Sequence, residues 1–569
     1  MKKLFSLVAV ASLVLFTVQC DVIDSDLLTS PNAVSPDNVD PDLLLNSIQF
    51  SARSVYSSAA GTGGQLTRMR YLFGSTYDNA YTPVDFNGIY ESAYSSQFID
   101  TKNLIEIDSD GSRGLGYHKG IAKVLQGASL MTIVDMFGDV PWSEALDPTN
   151  FSPNLDAGSS VYDVALGLID DGIAELQNCL STATSDAQSL CRAIPRNDLY
   201  YGTLSGDTRV NAWIRAANTF KLKGFLNTGN AAGINALVAD GNLITDPDHN
   251  FTFDFGTNDV NPDSRHPLFS GAYAGGPSGG NYMSNSYMNM LLEDKAGVFP
   301  DGDPRTRYYI YRQVLQPVTD PATVSCLGSN PPGHFGPDDP HCQLDRGYIG
   351  RDHLTDDGIP PDGPVRATFG VYPAGGQFDA DQGVAITESN GPELGLRGAG
   401  FDPILMASFT HFMLAEAVLS LGVSGNARDL FEEGIDLSLN AVRTFGLSLA
   451  DGTGFEMTNT GDDNDIATYK AVALSQYDAA ANPLRVVIKE YYLALWPNGL
   501  EAYNAMRRTG FPNREDNLQP AQSGSPGDFY RTVPYPAALV IRNGNVEQKS
   551  SNLARTFWDT RGSDTEFNY

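Results

Sequence analysis

Residues 121–145 read IAKVLQGASLMTIVDMFGDVPWSEA. Ile121, Val124, Leu125, Ala128 and Met131 recur at helical spacing, which predicts a helix with one face in a core. Gly138-Asp139-Val140-Pro141 ends it, because glycine tolerates a left-handed cap and proline cannot continue a helix. The same period recurs further along the chain. Ala165, Leu168, Ile169, Gly172 and Leu176 form a stripe within Val161–Leu176, and Trp213, Ala216, Ala217, Phe220 and Gly224 form another. Between about 245 and 402 the period disappears. Residues 301–400 hold 16 Gly and 12 Pro, against 56 Gly and 33 Pro in the whole chain, so this tract reads as an ordered loop insertion where binding residues concentrate. Helical spacing returns at Ile404–Leu421, Ala427–Phe445 and Leu484–Arg508, the last with Ile488, Tyr491, Tyr492 and Leu495 on its buried face. The expected fold class is mainly α, an α-solenoid-like scaffold interrupted by one large insertion.

The chain has 569 residues, 37 Lys+Arg against 68 Asp+Glu and a formal net charge of −31. With 41% hydrophobic and only 18% charged residues it has ample apolar surface for a core, which excludes a disordered polyelectrolyte. The excess of carboxylates argues against nucleic-acid binding, which depends on Lys and Arg neutralising phosphates. Met1-Lys2-Lys3 is a positive start, and Leu4 to Val18 are an apolar run. That run is shorter than the roughly 20 residues a membrane span needs, so it has the shape of a secretory signal. Cys20 follows directly and looks like the acylated cysteine of a bacterial lipoprotein; an ordinary signal peptide with an incidental cysteine is the alternative. Residues 21–45 then read as a tether.

The other cysteines are Cys179, Cys191, Cys326 and Cys342. An even number in an exported chain suggests disulfides, and proximity favours Cys179–Cys191 with Cys326–Cys342 among the three pairings. Zinc on Cys342 with His341 or His334 is the alternative, although the spacing fits no structural zinc pattern. Asp301 with Asp303, and Asp462, Asp463 and Asp465, are candidate calcium ligands; neither group matches a calcium loop, and a turn is the simpler reading. Glu501 with Arg507 and Arg508 suggests a partly buried ion pair. The seven histidines and the absence of H-E-x-x-H or G-x-S-x-G motifs disfavour hydrolase chemistry. A site for an oligosaccharide or peptide needs aromatic faces beside amides and carboxylates. Tyr77, Asp78, Asn79, Tyr81, Asp85 and Phe86 form one such group, and Tyr273, Asn281, Tyr282, Asn285 and Tyr287 a second. Tyr372 and Phe378 are a third candidate. For any single tyrosine, packing beneath a loop is the competing role.

Several segments together resemble the SusD/RagB family of nutrient-binding outer-membrane lipoproteins. They are Asp135-Met-Phe-Gly-Asp-Val-Pro-Trp142 with Ser143-Glu144-Ala145, Trp213 to Lys223 (WIRAANTFKLK), and Asp301-Gly-Asp-Pro-Arg305. Pro403–Met406 with Leu414-Ala-Glu-Ala417, Asn498-Gly-Leu-Glu-Ala-Tyr503 with Arg507-Arg-Thr-Gly-Phe-Pro512, Pro534-Tyr535-Pro536 with Asn543, and Thr556-Phe-Trp-Asp559 follow in order. Ser408-Phe409-Thr410-His411 departs from the family's first Ala-Glu. The resemblance implies tetratricopeptide-like helix pairs as scaffold and a variable loop region as ligand face. It implies residues 1–19 as lipoprotein signal, 20–45 as lipidated Cys20 and tether, and 46–569 as one helical domain with its insertion at about 245–402. It also implies a lipid-anchored protein on the outer surface of a Gram-negative outer membrane, without catalytic activity or a resident cofactor beyond possible structural calcium. Its ligand would be an oligosaccharide or peptide, and its partner a SusC-like TonB-dependent transporter.

Overall fold

The computed structural model describes residues 39–192, 198–274, 281–295, 302–447, 463–562 and 567. The expected signal peptide, Cys20, the first part of the tether, Asp301 and Asp462 lie outside these residues, as does the side chain of Asp463. Twelve helices of nine or more residues carry the described architecture. In order they are α1 (Pro41–Leu66), α2 (Phe98–Glu106), α3 (Gly116–Phe137), α4 (Gly158–Asn178), α5 (Gly206–Asn227), α6 (Ala231–Asp240), α7 (Asn285–Glu293), α8 (Ala407–Leu421), α9 (Ala427–Leu447), α10 (Asp463–Ala479), α11 (Pro483–Ala494) and α12 (Gly499–Thr509).

The opening stretch is α3, and it forms a close antiparallel pair with α4. A Cβ on Gly127 would lie 2.5 Å from the Ala165 carbonyl oxygen, and one on Gly172 would lie 2.7 Å from Val124 Cγ2. Gly158, at the start of α4, faces Val134 and Gly138 at the end of α3. Small residues on the facing ridges let the two backbones approach so closely. Gly138 ends α3 with φ 78°, and Asp139 Oδ1 accepts the Gly158 N–H at 2.8 Å, so the helix stop of one partner caps the other. By composition α3 is long and apolar enough to cross a bilayer, but 89% of that window is buried inside the protein, where it serves as a core helix.

Two expected helices begin or end differently. Phe401–Leu405 is a strand, β4, and the helix starts only at Ala407. β4 pairs antiparallel with β1 (Phe251–Asp254), Asp254 opposite Phe401, so the chain leaves for the insertion and returns from it through two neighbouring strands. The expected helix Leu484–Arg508 is divided into α11 and α12 at Leu495-Trp496-Pro497-Asn498, because Pro497 cannot donate to the helix ladder. The insertion is also less irregular than its composition suggests, since it contains α7 and a second strand pair, β2 (Ile310–Tyr311) with β3 (Thr368–Phe369). Disulfides join Cys179 to Cys191 and Cys326 to Cys342, each with Cα atoms 5.5 Å apart, so Cys342 is not a metal ligand.

The recurring motif segments converge in the interior. The Asp135 carboxylate accepts hydrogen bonds from Tyr162 Oη (2.9 Å), Trp558 Nε1 (2.9 Å) and Asn504 Nδ2 (2.8 Å). Burial pushes this carboxyl's pKa up, against the pull of Lys223 and Arg507. Arg507 Nη1 donates to the backbone oxygens of Asp135 and Arg531, and Arg531 pairs with Asp559. The anticipated pairing of Glu501 with Arg507 and Arg508 is not what forms. Glu501 lies 2.5 Å from Lys223 Nζ on α5, and Arg508 makes a two-pronged pair with Glu416 on α8 at 2.6 and 2.8 Å. Glu501 and Arg508 sit at opposite ends of α12, separated by about 10 Å of helical rise, so each finds a partner on a neighbouring helix. The Asp303 carboxylate is engaged within the protein: Arg305 Nε and Nη2 hold its two oxygens at 2.9 and 2.6 Å and supply the positive charge. Of the second candidate group, Asp463 and Asp465 lie within α10. Among the described residues, no group of three or more His, Cys, Asp or Glu side chains is arranged to hold a metal ion.

Candidate functional site

Helix α1 carries a run of small residues, Ser57-Ser58-Ala59-Ala60-Gly61-Thr62-Gly63-Gly64, at its C-terminal half. One side of this run packs against α12, where a Cβ at Gly499 would run into the backbone of Ala60 and Gly64. The other side opens into two cavities. The first, about 250 Å³, is lined by Arg53, Tyr56, His266, Asn281, Asp402 and Pro497, among others. The second, about 270 Å³, is lined by Ser58, Thr62, Gln65, Asp85, Phe86 and Ile89, among others. Ser57, Gly61 and Arg70 border both. The backbone N–H of Arg70 donates to the Gly64 carbonyl at 2.8 Å, and its side chain lies back over the glycines. Any Cβ on Gly61 would meet Arg70 Nη1 at 3.5 Å, and one on Gly64 would meet Arg70 Cδ at 3.3 Å.

The acids near this pair of cavities are already engaged. Asp402 binds Arg53 Nε at 2.7 Å and faces His266 Nε2 at 3.4 Å. Burial pushes the Asp402 carboxyl up, but His266 and Arg53 outweigh it and hold the group below the usual carboxylate range. Asp85 accepts the Thr82 N–H at 2.7 Å and the Thr82 hydroxyl at 2.9 Å. Tyr81 Oη donates to Gln65 Oε1 at 2.7 Å, and its ring packs against Phe86 and Tyr530. The walls therefore offer hydroxyls, two amides and a guanidinium, a set suited to a hydroxylated ligand.

Of the residues expected to bind ligand, Asn281, Asp85 and Phe86 line these cavities and Tyr81 stands behind them. The remaining tyrosines are structural. Tyr77, Tyr273 and Tyr287 are fully buried, and Tyr372 is 3% exposed. Tyr77 hydrogen-bonds His353 Nε2 at 3.1 Å; Tyr273 Oη donates to the Phe369 carbonyl and Tyr287 Oη to the Leu493 carbonyl. Tyr372 packs among Tyr309, Phe401 and Phe445, and Phe378 against Tyr308. Leu493 is in the last turn of α11, where Pro497 has no N–H to return to its carbonyl, and Phe369 ends a two-residue strand; in each case a phenol supplies both a donor and the apolar bulk. Asn285 is buried and donates to Asp352. Asp78 and Asn79 are exposed, but Asp78 accepts from Asn552 and Asn79 accepts the N–H groups of Ser75 and Thr76, so both shape loops. Tyr282 is almost wholly buried between Arg351 and Arg366, with its hydroxyl on Asp362. It backs a third, smaller cavity of about 120 Å³ beside the Cys326–Cys342 bridge, whose wall includes Asp352, Asp356, Asp357 and Asp362.

Arg53, Tyr56, Gln65 and Arg70 were absent from the expected set. Arg68-Met69-Arg70, a basic pair next to a small-residue run in a strongly acidic chain, was the available signal.

Two family models match the sequence. One, described as Susd and RagB outer membrane lipoprotein, matches residues 402–565, and the other, described as starch-binding associating with outer membrane, matches residues 31–308. Together they span more than three-quarters of the chain. No curated protein sequence matches. Among solved structures, a SusD/RagB family protein of Bacteroides thetaiotaomicron is similar with a TM-score of 0.62 at 18% identity, over 92% of this chain and 100% of that one. A chitin-binding protein is similar at 0.59 and 17% identity, over 92% and 100%. A SusD homologue of Bacteroides uniformis is similar at 0.56 and 18% identity, over 91% and 99%. These likenesses establish the fold.

Proposed function

Since the chain belongs to the SusD-like family of outer-membrane lipoproteins, we propose that it captures oligosaccharides, or alternatively peptides, at the cell surface and delivers them to a SusC-like TonB-dependent transporter. Family membership makes it a nutrient-binding surface protein. Anchoring through a lipidated Cys20, exposure on the outer face and the transporter partner are parts of the proposal. The observation that carries the binding role over hydrolysis is the engagement of the motif acids. Asp135, Asp303, Glu416, Glu501 and Asp559 are all buried and all held by hydrogen bonds or cations inside the scaffold. A glycosidase needs two carboxyl groups facing each other across a substrate at roughly 5–10 Å. These five serve the fold instead, while the cavities along α1 present groups that bind without reacting. The starch-binding description of one matching family and the chitin-binding name of a structural relative favour glycans over peptides as cargo.

The test uses the full-length lipoprotein in its native membrane. Affinity capture after gentle solubilisation is expected to bring a TonB-dependent barrel in comparable amount, and Cys20→Ala to move the protein from the membrane to the soluble fraction. Purified protein is expected to bind glycan oligomers without shortening them. Release of cleaved products, or capture without a barrel, would overturn the reading.

A further inference from the structure

The Arg70 side chain has no carboxylate. Among the described residues its guanidinium makes no hydrogen bond and no ion pair, and it lies 5.8 Å from the centre of the Phe369 ring. Elsewhere in this acidic protein Arg53, Arg305, Arg312, Arg508, Arg514 and Arg531, all partly or fully buried, each pair with an Asp or Glu, and the buried Arg507 is held by the backbone oxygens of Asp135 and Arg531. Asp402 and Asp85, which line the flanking cavities, are committed to Arg53 with His266 and to Thr82. Burial lowers the guanidinium's pKa, with only the neighbouring Tyr81 acting in the opposite sense. A part-buried cation without a counter-charge costs stability, and the usual compensation is an anion with good hydrogen-bond geometry. Arg70 is half-buried and borders both cavities, so an anion entering from solvent can reach it. A guanidinium presents a planar fork that matches a carboxylate in two parallel hydrogen bonds. On either side of it stand Ser57, Ser58, Thr62, Gln65 and Asn281, whose hydroxyls and amides suit ring hydroxyls better than apolar side chains.

We propose that Arg70 seats a ligand carboxylate and that the two cavities it joins form a subsite for an acidic sugar, a uronide unit of the captured oligosaccharide. The inference rests on the binding role proposed above and adds the class of cargo. The protein's overall negative charge does not oppose it, because a local unpaired cation in a low-dielectric cleft outweighs distant, screened charges.

The experiment is calorimetric titration of the mature protein with galacturonate trisaccharide, neutral galactotriose and tri-glutamate, repeated for Arg70→Met and Arg70→Lys. The wild type is expected to prefer the galacturonate trisaccharide. Arg70→Met is expected to weaken its binding by about tenfold or more, and Arg70→Lys to restore only part, because lysine offers a point charge without the fork. The same Arg70→Met variant is expected to melt at or above the wild-type temperature, since it loses only the long cation–π contact with Phe369 and removes a burial cost. That outcome separates a binding residue from a structural one. Wild-type binding of galactotriose that is equal to that of the uronide and indifferent to Arg70→Met overturns the inference while leaving the nutrient-binding role intact. Binding of tri-glutamate in place of the uronide overturns the sugar assignment. An Arg70→Met protein that unfolds reassigns Arg70 to the scaffold.

Discussion

His353 is 1% exposed, with its Nε2 3.1 Å from Tyr77 Oη. Burial first, and the Arg68 charge second, hold this imidazole well below its usual pKa of 6.5. The folded state therefore keeps it neutral while the unfolded chain protonates it as pH falls below 6.5. Its contribution to stability is fully present above that value and is lost progressively below it, at up to about 1.4 kcal/mol per pH unit. His353→Gln is expected to destabilise at pH 7.5, with the gap to wild type narrowing by about 1 kcal/mol on acidification to pH 5.5. Denaturant titrations at the two pH values measure it; a gap that stays constant would mean that folding leaves the His353 pKa where it is in the unfolded chain, and a gap that widens on acidification would mean that the fold holds it charged. Tyr77 and His353 illustrate what composition conceals at this scale. A tyrosine in a Tyr-Asp-Asn-Ala-Tyr run is chemically able to stack on a sugar, and only the position of a residue 276 places later, against its hydroxyl, assigns it to the core.

The helices divide their glycines by what faces them. Gly167 in α4 has nothing within 4 Å of where a Cβ would stand, whereas one on Gly172, five residues later, would meet the Gly120 carbonyl at 2.8 Å and Val124 at 2.7 Å. Gly167→Ala is expected to stabilise by about 0.5–1 kcal/mol through helix propensity and a less disordered unfolded chain. Gly172→Ala and Gly499→Ala are expected to cost about 1–3 kcal/mol or more, since backbone stands on the far side of each contact. Chemical denaturation of the three variants decides the matter, and equal effects would dismiss the close-packing account of both helix pairs. Helix positions along α3, α4 and α5 were legible because a 3.6-residue period survives any tertiary arrangement. The start of α8 and the break between α11 and α12 were not, because an apolar run such as Phe401–Leu405 reads equally as strand or helix until β1 lies beside it.

One hydrophobic cluster extends from Leu45 to Phe567, with a small satellite of Val324, Cys342 and Ile349 under the second disulfide. Segments far apart in sequence close it: Tyr492 Oη donates to the Thr67 carbonyl, Asn504 and Trp558 to Asp135, and Tyr535 Oη to the Asp139 carbonyl. Such a network couples the two halves, so calorimetry is expected to record one unfolding transition. Trp558→Phe, which leaves a buried Asp135 oxygen short of a donor, is expected to cost about 1–3 kcal/mol and to shift that transition as a whole. A second, separable transition for the residues after about 402 would contradict this coupling. At this scale the loss of helical period between about 245 and 402 was readable, but the pairing of β1 with β4 was not, because it joins residues about 150 places apart.

By itself the sequence determined the helical scaffold, the cysteine pairs favoured by proximity and the family, because these depend on period, spacing and ordered motifs that are local in the chain. Tertiary structure alone decided what the motif residues do. Glu501 and Arg508 look like partners in sequence and are each claimed by a different helix, since a charge in the interior is satisfied by whichever counter-charge lies within about 3 Å, however distant along the chain. The same rule separates Arg70 from Arg53, Arg305 and Arg508, which each find a carboxylate, and from Arg507, which is held by backbone carbonyls. Nothing in Arg68-Met69-Arg70 says that Arg70 will lack a carboxylate; that depends on where Asp85 and Asp402 are held once α1, β4 and the loops around them have packed.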